Sequence, residues 1–289
     1  MATIVVTGTS KGLGLATALT LARAGHTVYA TMRDPVRSPE LASTAAKEGL
    51  PIHVSVMDVD SDKSVSNGFV AIYEKVGDID VLVNNAGIEK HGSTEELPLA
   101  DFRAVMETNY FGALRCIKAV VGKMRERGSG CIVNVTSISG RLSTSPLGAY
   151  AASKYALEAA SEALAQELKP YGVRVAIIEP GIIDTDMARS LNTDATTKSI
   201  YRQPNRFPHY FAASLRTPRP ASLVGDKVLE IVTSETWTLR HPVGPDGEST
   251  LVWRASMTDE EYIAINSIDD DAWYAAMEGM FGFSIRPTE

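Results

Sequence analysis

A chain of 289 residues, 44% of them hydrophobic, can bury one extensive core, and no break in composition divides it into two domains. Its 28 Lys and Arg residues against 35 Asp and Glu residues give a net charge of -7, which argues against nucleic acid or an anionic membrane as the main partner. No stretch approaches the ~20 apolar residues of a membrane-spanning helix, and no secretion signal precedes the first strand, so we expect a cytoplasmic protein.

Short apolar segments alternate along the chain with longer segments of helical period. Strands joined by helix-length connections must be parallel, and strands that are apolar without alternation are covered by helices on both faces. The pattern therefore predicts an α/β fold: a doubly wound, Rossmann-like parallel sheet in three layers. A TIM barrel would need eight strand–helix units and no special loop after the first strand. The predicted strands cover residues 4–6, 27–31, 52–56, 81–84, 131–136 and 174–178, and the predicted helices 12–24, 62–76, 101–127, 149–171 and 220–233.

The last third of the chain departs from this rhythm. Residues 182–219, rich in aromatic residues and prolines, are predicted to form a substrate-binding loop, because long loops with their own aromatic side chains are more often functional than idle. Residues 238–289 are predicted to form an extended tail, with a strand at 238–243 and a helix opened by a capping box from Thr258 to Glu261. We expect residues 1–289 to form a single domain.

A glycine-rich loop follows the first predicted strand and opens the first predicted helix. Glycine lets the backbone approach a ligand where a Cβ atom would collide, and the helix N-terminus offers free N–H groups to phosphate. This strand–turn–helix context is the one that dinucleotide binding requires. The loop therefore predicts a binding site for a dinucleotide pyrophosphate, formed by Gly8, Thr9, Ser10, Lys11, Gly12, Leu13 and Gly14.

A second motif joins Ser137 to Tyr150 and Lys154. Tyr150 and Lys154 are four residues apart on a predicted helix, so their side chains lie on one face. A free tyrosine is a poor acid at neutral pH, and a nearby ammonium group is expected to lower the pKa of Tyr150 by stabilising the phenolate. Ser137 follows the fifth predicted strand at the carboxyl edge of the sheet, where its hydroxyl can donate to a substrate carbonyl. The motif predicts proton transfer to a carbonyl.

These motifs, in this order and spacing, resemble the short-chain dehydrogenase/reductase family. The similarity covers about residues 2–190, and the chain resembles in particular the single-domain, NADP-preferring branch with its carbonyl reductases and hydroxysteroid and retinol dehydrogenases. The C-terminal region departs from the short ending that is usual in the family. The matching residues are Thr-Gly-x-x-x-Gly-x-Gly at 7–14, Asn-Asn-Ala-Gly at 84–87, Asn109, Ser137, Tyr150 with Lys154, and Pro180 with Gly181.

The resemblance implies further roles for matching residues. It implies that Lys154 also holds the nicotinamide ribose, and that Asn109 anchors a water leading protons toward Lys154. It implies a hydride supplied by a nicotinamide cofactor, with Tyr150 as general acid and base and Ser137 as a donor to the carbonyl. The cofactor-binding residues it implies beyond the glycine loop are Asp58, Val59, Asn85, Ala86, Gly87, Tyr150, Lys154, Pro180, Gly181, Ile182 and Thr185.

The choice of nicotinamide is predicted from the end of the second strand. Sites that prefer NAD usually carry an Asp or Glu there for the ribose 2′-hydroxyl, whereas this chain has Thr31 and Met32 followed by Arg33. A guanidinium suits a 2′-phosphate, and Lys11 adds a second cation, so we predict NADP(H). The alternative is that Arg33 and Lys11 are solvated surface cations, with Asp34 partly neutralising Arg33.

The leading hypothesis is an NADPH-dependent carbonyl reductase, reversible as an alcohol dehydrogenase. Aromatic residues between Tyr201 and Phe211, with Leu142, Leu147 and Met187, suggest an apolar pocket for a bulky ketone; alternatively they pack the loop onto the tail. The competing functions are a non-catalytic NADP-binding regulatory protein, and a different reaction on the same scaffold, such as epimerisation or enoyl reduction.

Two expectations concern partners and metals. The resemblance implies a homodimer or homotetramer that forms through the helices beginning near Asp101 and Ala149. The five His and two Cys residues have no metal-ligand spacing, so no metal is predicted, and His91 is interpreted as a loop residue.

Overall fold

The structure, a computed structural model, describes residues 1–191 and 199–286. Within these residues, seven parallel strands form one sheet in the spatial order β3-β2-β1-β4-β5-β6-β7. The order reverses between β1 and β4, and ligands of open α/β sheets bind outside the carboxyl ends of the strands at such a point. The strands are Thr3–Thr7 (β1), Thr27–Met32 (β2), Ile52–Val56 (β3), Val81–Asn84 (β4), Gly130–Val135 (β5), Val173–Pro180 (β6) and Arg240–Val243 (β7).

Helices cover both faces of this sheet, which confirms the predicted doubly wound α/β fold. A π-helical turn, Glu107–Phe111, joins the fourth and fifth helices. The α-helices are Gly12–Arg23 (α1), Glu40–Glu48 (α2), Asp62–Val76 (α3), Leu99–Met106 (α4), Gly112–Arg127 (α5), Gly148–Leu168 (α6), Asp186–Ser190 (α7), Arg202–Ser214 (α8), Ser222–Thr233 (α9), Gly247–Ala255 (α10), Asp259–Ser267 (α11) and Asp270–Phe281 (α12).

Two hydrophobic cores lie on opposite faces of the sheet. Successive side chains of a strand point to opposite faces, so in β1 Ile4 and Val6 join one core and Val5 joins the other. All three side chains are fully buried, which explains why the strand is apolar without alternation. The two cores fix the carboxyl ends of the central strands, where the motif residues lie.

The range 182–219, for which the sequence predicted a loop, contains the helices α7 and α8. Pro204 lies in the first turn of α8 and Pro208 inside it, and these prolines argued against a helix in the sequence. The helix forms because Phe207 and Phe211, one turn apart, pack with Leu147 in a buried cluster. Tertiary burial outweighs the local cost of proline here.

In the C-terminal region, β7 pairs with β6 and forms one edge of the sheet, and the helices α10 to α12 follow it. The capping box predicted at Thr258 is present. The Thr258 hydroxyl accepts from the Glu261 N–H at 3.2 Å, and the Glu261 carboxylate accepts from the Thr258 N–H at 2.8 Å. Trp273 and Met277 of α12 pack into a cluster that includes Ala213 of α8. None of the helices in residues 1–191 and 199–286 is long and apolar enough to cross a membrane.

Candidate active site

The glycine-rich loop is a cradle that only glycine can form. Gly8 has a φ of +68°, and a Cβ atom on it would lie 2.6 Å from the Cα atom of Ala86. A Cβ atom on Gly14 would lie 2.3 Å from the Asn85 side-chain nitrogen and 2.3 Å from the Gly8 carbonyl oxygen. The loop between β1 and α1 therefore presents bare backbone at the switch point, as phosphate binding requires.

Hydrogen bonds join this loop to the end of β4. The Thr7 hydroxyl accepts from the N–H groups of Asn85 and Ala86, both at 3.0 Å. The Asn85 amide in turn donates to the carbonyl oxygens of Thr7 at 2.9 Å and Gly8 at 3.0 Å. The Thr9 hydroxyl is buried and donates to the Thr31 carbonyl at 3.2 Å, so Thr9 holds the loop against β2.

A cleft of about 580 Å³ runs along this edge of the sheet. It brings together most of the residues predicted to bind a cofactor, and its bare backbone cradle, with Lys11 and Arg33 on the walls, fits a dinucleotide. Asp60, Thr108 and Asp186 also line it, and the sequence analysis did not identify them. The predicted residues on its walls are Gly8, Ser10, Lys11, Gly12, Leu13, Gly14, Arg33, Asp58, Val59, Asn85, Ala86, Gly87, Tyr150, Lys154 and Thr185.

The two predicted phosphate-binding cations differ in their surroundings. Lys11 forms an exposed ion pair with Asp186 of α7, with 3.0 Å between Nζ and Oδ2. Arg33 is exposed and has no ion pair within residues 1–191 and 199–286. Asp34 does not neutralise Arg33, because its carboxylate pairs with Arg37 at 3.3 Å. Arg33 is thus the better placed of the two cations for a phosphate.

Tyr150 and Lys154 lie one turn apart near the start of α6, as predicted. The Lys154 Nζ atom is 5.5 Å from the centre of the Tyr150 ring and donates to the Val135 carbonyl at 2.9 Å. The Ser137 hydroxyl donates to the Pro180 carbonyl at 3.4 Å and accepts from the Ser139 N–H at 3.1 Å. The carboxyl end of β5 and the start of α6 thus bring together three of the four predicted catalytic side chains, and Asn109 is the fourth.

The pKa of Tyr150 is raised and not lowered, so the prediction from the Tyr–Lys spacing was wrong on this point. Burial raises the pKa of Tyr150 to about 12, and its hydrogen bond with Ser137 only partly opposes this. Burial also lowers the pKa of Lys154 to about 8, opposed by the negative charge of Glu158. The phenol is therefore protonated at neutral pH, which is the state that can donate a proton.

Asn109 lies in the π-helical turn and is fully buried. Its amide nitrogen donates to the Ile88 carbonyl and to the Ser153 hydroxyl, both at 2.9 Å, and its oxygen accepts from the Ile88 N–H at 2.8 Å. The side chain thus ties the segment after β4 to α6. Asn109 does not line the cleft described above, and its implied role as the anchor of a water stays a prediction.

A buried charged cluster lies behind Lys154. Glu158, one helical turn beyond Lys154, accepts from the Thr136 hydroxyl at 2.7 Å and from Arg240 of β7 at 3.0 Å. Arg240 also pairs with the exposed Glu162 at 2.6 Å. The Glu158 carboxylate beside Lys154 is therefore held by Arg240 of β7, an element that the sequence motifs did not connect with the site.

A second cavity, of about 180 Å³, adjoins the cleft. Tyr150 and Thr185 line both spaces, whereas Ser137 lines the second cavity together with Pro180, Gly181 and Ile182. Its remaining walls are mostly apolar or aromatic and come from the segment between β5 and α6, from α7 and α8, and from the C-terminal helices. They include Leu142, Leu147, Met187, Phe207, Tyr210, Phe211, Trp253, Tyr262, Trp273 and Met277.

The sequence left open whether the aromatic residues of α8 line a pocket or pack onto the C-terminal tail, and the structure shows both. Phe207, Tyr210 and Phe211 line the apolar cavity, and Tyr210 also packs against the cluster formed by the C-terminal helices. Tyr201 instead hydrogen bonds to Glu95 away from this cavity. Within the described ranges, no three His, Cys, Asp or Glu side chains are placed to share a metal ion.

A glycine cradle at the switch point of a doubly wound sheet, facing a Tyr–Lys pair, defines a nucleotide-binding protein of the Rossmann class. The family model for short chain dehydrogenase matches residues 2–196. The chain belongs to this family of oxidoreductases. The uncharacterized oxidoreductase YusZ of Bacillus subtilis is 34% identical over 259 residues, which cover 87% of this chain and 92% of that protein.

Solved structures of similar proteins share the architecture. A short-chain dehydrogenase from Streptomyces avermitilis superposes with a TM-score of 0.76 and 29% identity, covering 91% of this chain and 97% of that chain. Actinorhodin polyketide ketoreductase, solved with NADPH, superposes with a TM-score of 0.72 and 30% identity, covering 80% of this chain and 90% of that chain.

Proposed function

We propose that this protein is an NADPH-dependent carbonyl reductase, reversible as an alcohol dehydrogenase, that acts on an uncharged, bulky ketone or secondary alcohol. The observation that carries the proposal is that Tyr150 lines both the cleft and the apolar cavity. A substrate carbonyl in the cavity and a nicotinamide in the cleft would meet at this phenol. The likeness to a polyketide ketoreductase supports the same reaction class.

The proton comes from Tyr150 in this account. Its phenol is protonated at neutral pH, as an ordinary tyrosine is, and burial raises its pKa further to about 12. The Ser137 hydroxyl donates a second hydrogen bond to the carbonyl oxygen. NADPH, when bound, supplies the hydride. The Lys154 ammonium, whose Nζ atom is 5.5 Å from the ring centre, stabilises the phenolate that remains.

The preference for NADPH rests on Arg33. Its guanidinium lines the cleft at the end of β2, where an NAD-preferring site would carry a carboxylate, and no described residue pairs with it. A planar fork of donors suits a 2′-phosphate. Lys11 is a weaker contributor, because Asp186 already neutralises part of its charge.

Assembly as a homodimer or homotetramer is also part of the proposal. Phe111 in the π-helical turn is 45% exposed and Tyr155 of α6 is 44% exposed, and both lie on the segments that the sequence analysis assigned to subunit contacts. Exposed aromatic side chains of this kind are typical of an interface. Light scattering on the purified protein measures the assembly directly.

The test is cofactor oxidation with a panel of small, aryl, cyclic and steroid-sized ketones, with NADPH and NADH side by side. Wild-type protein is expected to oxidise NADPH in the presence of at least one bulky ketone. Tyr150→Phe removes the proton donor and is expected to abolish turnover while NADPH still binds. Full activity in that variant, or binding of NADPH with no turnover of any ketone, would contradict the proposal.

A further inference from the structure

Buried polar atoms without partners single out the wall of the apolar cavity. Seven buried side-chain oxygen or nitrogen atoms have no hydrogen-bond partner within residues 1–191 and 199–286. Three of them belong to residues of this cavity wall, Glu89, Thr250 and Trp273, although the Glu89 carboxylate lies 3.3 Å from His91 Nδ1. Leaving a buried donor or acceptor unpaired is costly, so such atoms call for a ligand or another explanation.

Thr250 on α10 departs from the pattern of its neighbours. The hydroxyls of Ser249, Ser256 and Ser267 on α10 and α11 each donate to a carbonyl about one turn back in the chain. Small hydroxyl side chains in helices commonly bond in this way. Thr250 lines the cavity and is only 5% exposed, and its hydroxyl has no described partner.

Trp273 on α12 has a buried indole N–H without a described partner. An indole N–H can only donate, so its partner must be an acceptor. Trp273 is 5% exposed, and the Arg206 guanidinium lies 4.4 Å from its ring centre, which fixes the ring in the wall. Trp273 thus lines the same cavity as Tyr150 and Ser137, and its indole N–H has no acceptor among the described residues.

The charge of the cavity limits what can enter it. Glu89 is the only formally charged side chain among the described residues of the cavity wall. Its carboxylate lies where the cavity meets the cleft, close enough to Tyr150 to raise the pKa of the phenol further. A substrate carboxylate or phosphate would be repelled there, whereas an uncharged molecule would not.

We propose that the substrate is an uncharged, apolar ketone that carries a second oxygen away from the reacting carbonyl, and that this oxygen accepts a hydrogen bond from Trp273. Thr250 provides a second polar contact for the same end of the substrate. This inference rests on the proposed reductase function and names its substrate class. Both residues lie beyond the 2–196 range that matches the family model, so they belong to the C-terminal region of this chain.

The test uses matched pairs of aryl methyl ketones built on benzene, naphthalene and biphenyl. In each pair, one member carries a hydroxymethyl group on the ring end opposite the ketone, and the other carries an ethyl group of nearly the same shape. We expect kcat/KM with NADPH to favour the hydroxymethyl member at least about tenfold on one or more of the cores. Calorimetry on the cofactor-free protein should give the same preference in binding.

Variants assign this preference to a residue. Trp273→Phe removes the donor and keeps an aromatic ring, so the preference should fall to near unity while the ethyl ketone is still reduced. Trp253→Phe makes the same chemical change at another position in the wall and should keep the preference. Thr250→Val is nearly isosteric and should weaken the preference, which provides a second test where Trp273→Phe fails to fold.

The outcomes separate the two proposals. The substrate assignment would be overturned if the wild type had the same kcat/KM for both members of every pair. It would also be overturned if Trp273→Phe kept the full preference for the hydroxymethyl member. Binding that favours the hydroxymethyl members without any turnover would support the polar end of the site and contradict the reductase function.

Discussion

The carboxylate of Asp246 accepts a 2.8 Å hydrogen bond from the backbone N–H of Ile182. Asp246 lies in the turn after β7, and Ile182 follows the end of β6 at the wall of the apolar cavity. The contact is so close that a Cβ atom on Gly181 would lie 2.4 Å from the Asp246 carboxylate. The start of the C-terminal region therefore sets the course of the segment after β6, whose residues Gly181 and Ile182 the family resemblance assigns to cofactor binding.

Asp246→Ala should loosen that segment. The variant leaves the Ile182 N–H without its acceptor, which costs about 1–3 kcal/mol in stability, and it should raise KM for NADPH. Asp246→Asn is the matched control, because it keeps an acceptor oxygen without burying a charge; burial raises the pKa of the native carboxyl. Thermal unfolding and steady-state kinetics measure both effects. Wild-type stability and KM in the alanine variant would contradict the positioning role.

Arg33→Ala should weaken NADPH binding selectively. A charged hydrogen bond contributes about 1.5–3 kcal/mol, so the dissociation constant for NADPH should rise by roughly 10- to 100-fold while that for NADH stays unchanged. Arg125→Ala removes an exposed arginine near the end of α5 that does not line the cleft, and it should change neither constant. Fluorescence titration with both nucleotides makes the comparison, and equal losses for the two nucleotides would refute the assignment of Arg33.

Glu158→Gln should shift the alkaline limb of the pH profile. The Glu158 charge raises the pKa of Lys154 against the burial that lowers it to about 8, so its loss lets the lysine lose its proton at a lower pH. The kcat/KM for ketone reduction should then decline at lower pH than in the wild type. Besides Lys154, the charged groups that face Glu158 are Arg240 and Glu179.

Glu162→Gln is the control for this experiment. Glu162 also pairs with Arg240, at 2.6 Å, but it is exposed and lies a further turn from Lys154. Its removal should leave the alkaline limb in place. Coincident profiles for wild type and Glu158→Gln would show that Glu158 has only a structural role.

Gly14→Ala should disrupt the phosphate cradle. The added methyl group would lie 2.3 Å from both the Asn85 amide and the Gly8 carbonyl oxygen, so the bond network between β1 and β4 must move. We expect a fall in stability of more than about 1 kcal/mol and loss of nucleotide binding. Gly122→Ala in α5 meets nothing within 4 Å and should stabilise the protein by about 0.5–1 kcal/mol. Similar unfolding temperatures for the two variants would contradict this account.

The sequence predicts the parts of this fold in which local pattern and tertiary role agree. Ile4, Val5 and Val6 form a strand and are buried on both faces, and the spacing of Tyr150 and Lys154 places both on one face of α6. Such features follow from periodicity and from turn chemistry, which are properties of neighbouring residues.

The rest depends on contacts between distant segments. The prolines of α8 suggested a loop, and only the packing of Phe207 and Phe211 shows why a helix forms there. The ion pair between Lys11 and Asp186 joins residues that are far apart in the sequence, and no pattern of neighbouring residues reveals it. The raised pKa of Tyr150 likewise follows from burial, which the Tyr–Lys spacing alone does not disclose.

The most direct test of the central claim follows the hydride itself. NADPH carrying deuterium at the transferable position of its nicotinamide is incubated with a bulky ketone, and the product is examined by mass spectrometry. The account predicts an alcohol that contains one deuterium at the former carbonyl carbon, and no such product with Tyr150→Phe. An alcohol without deuterium, or undiminished formation of the labelled alcohol by Tyr150→Phe, would contradict it.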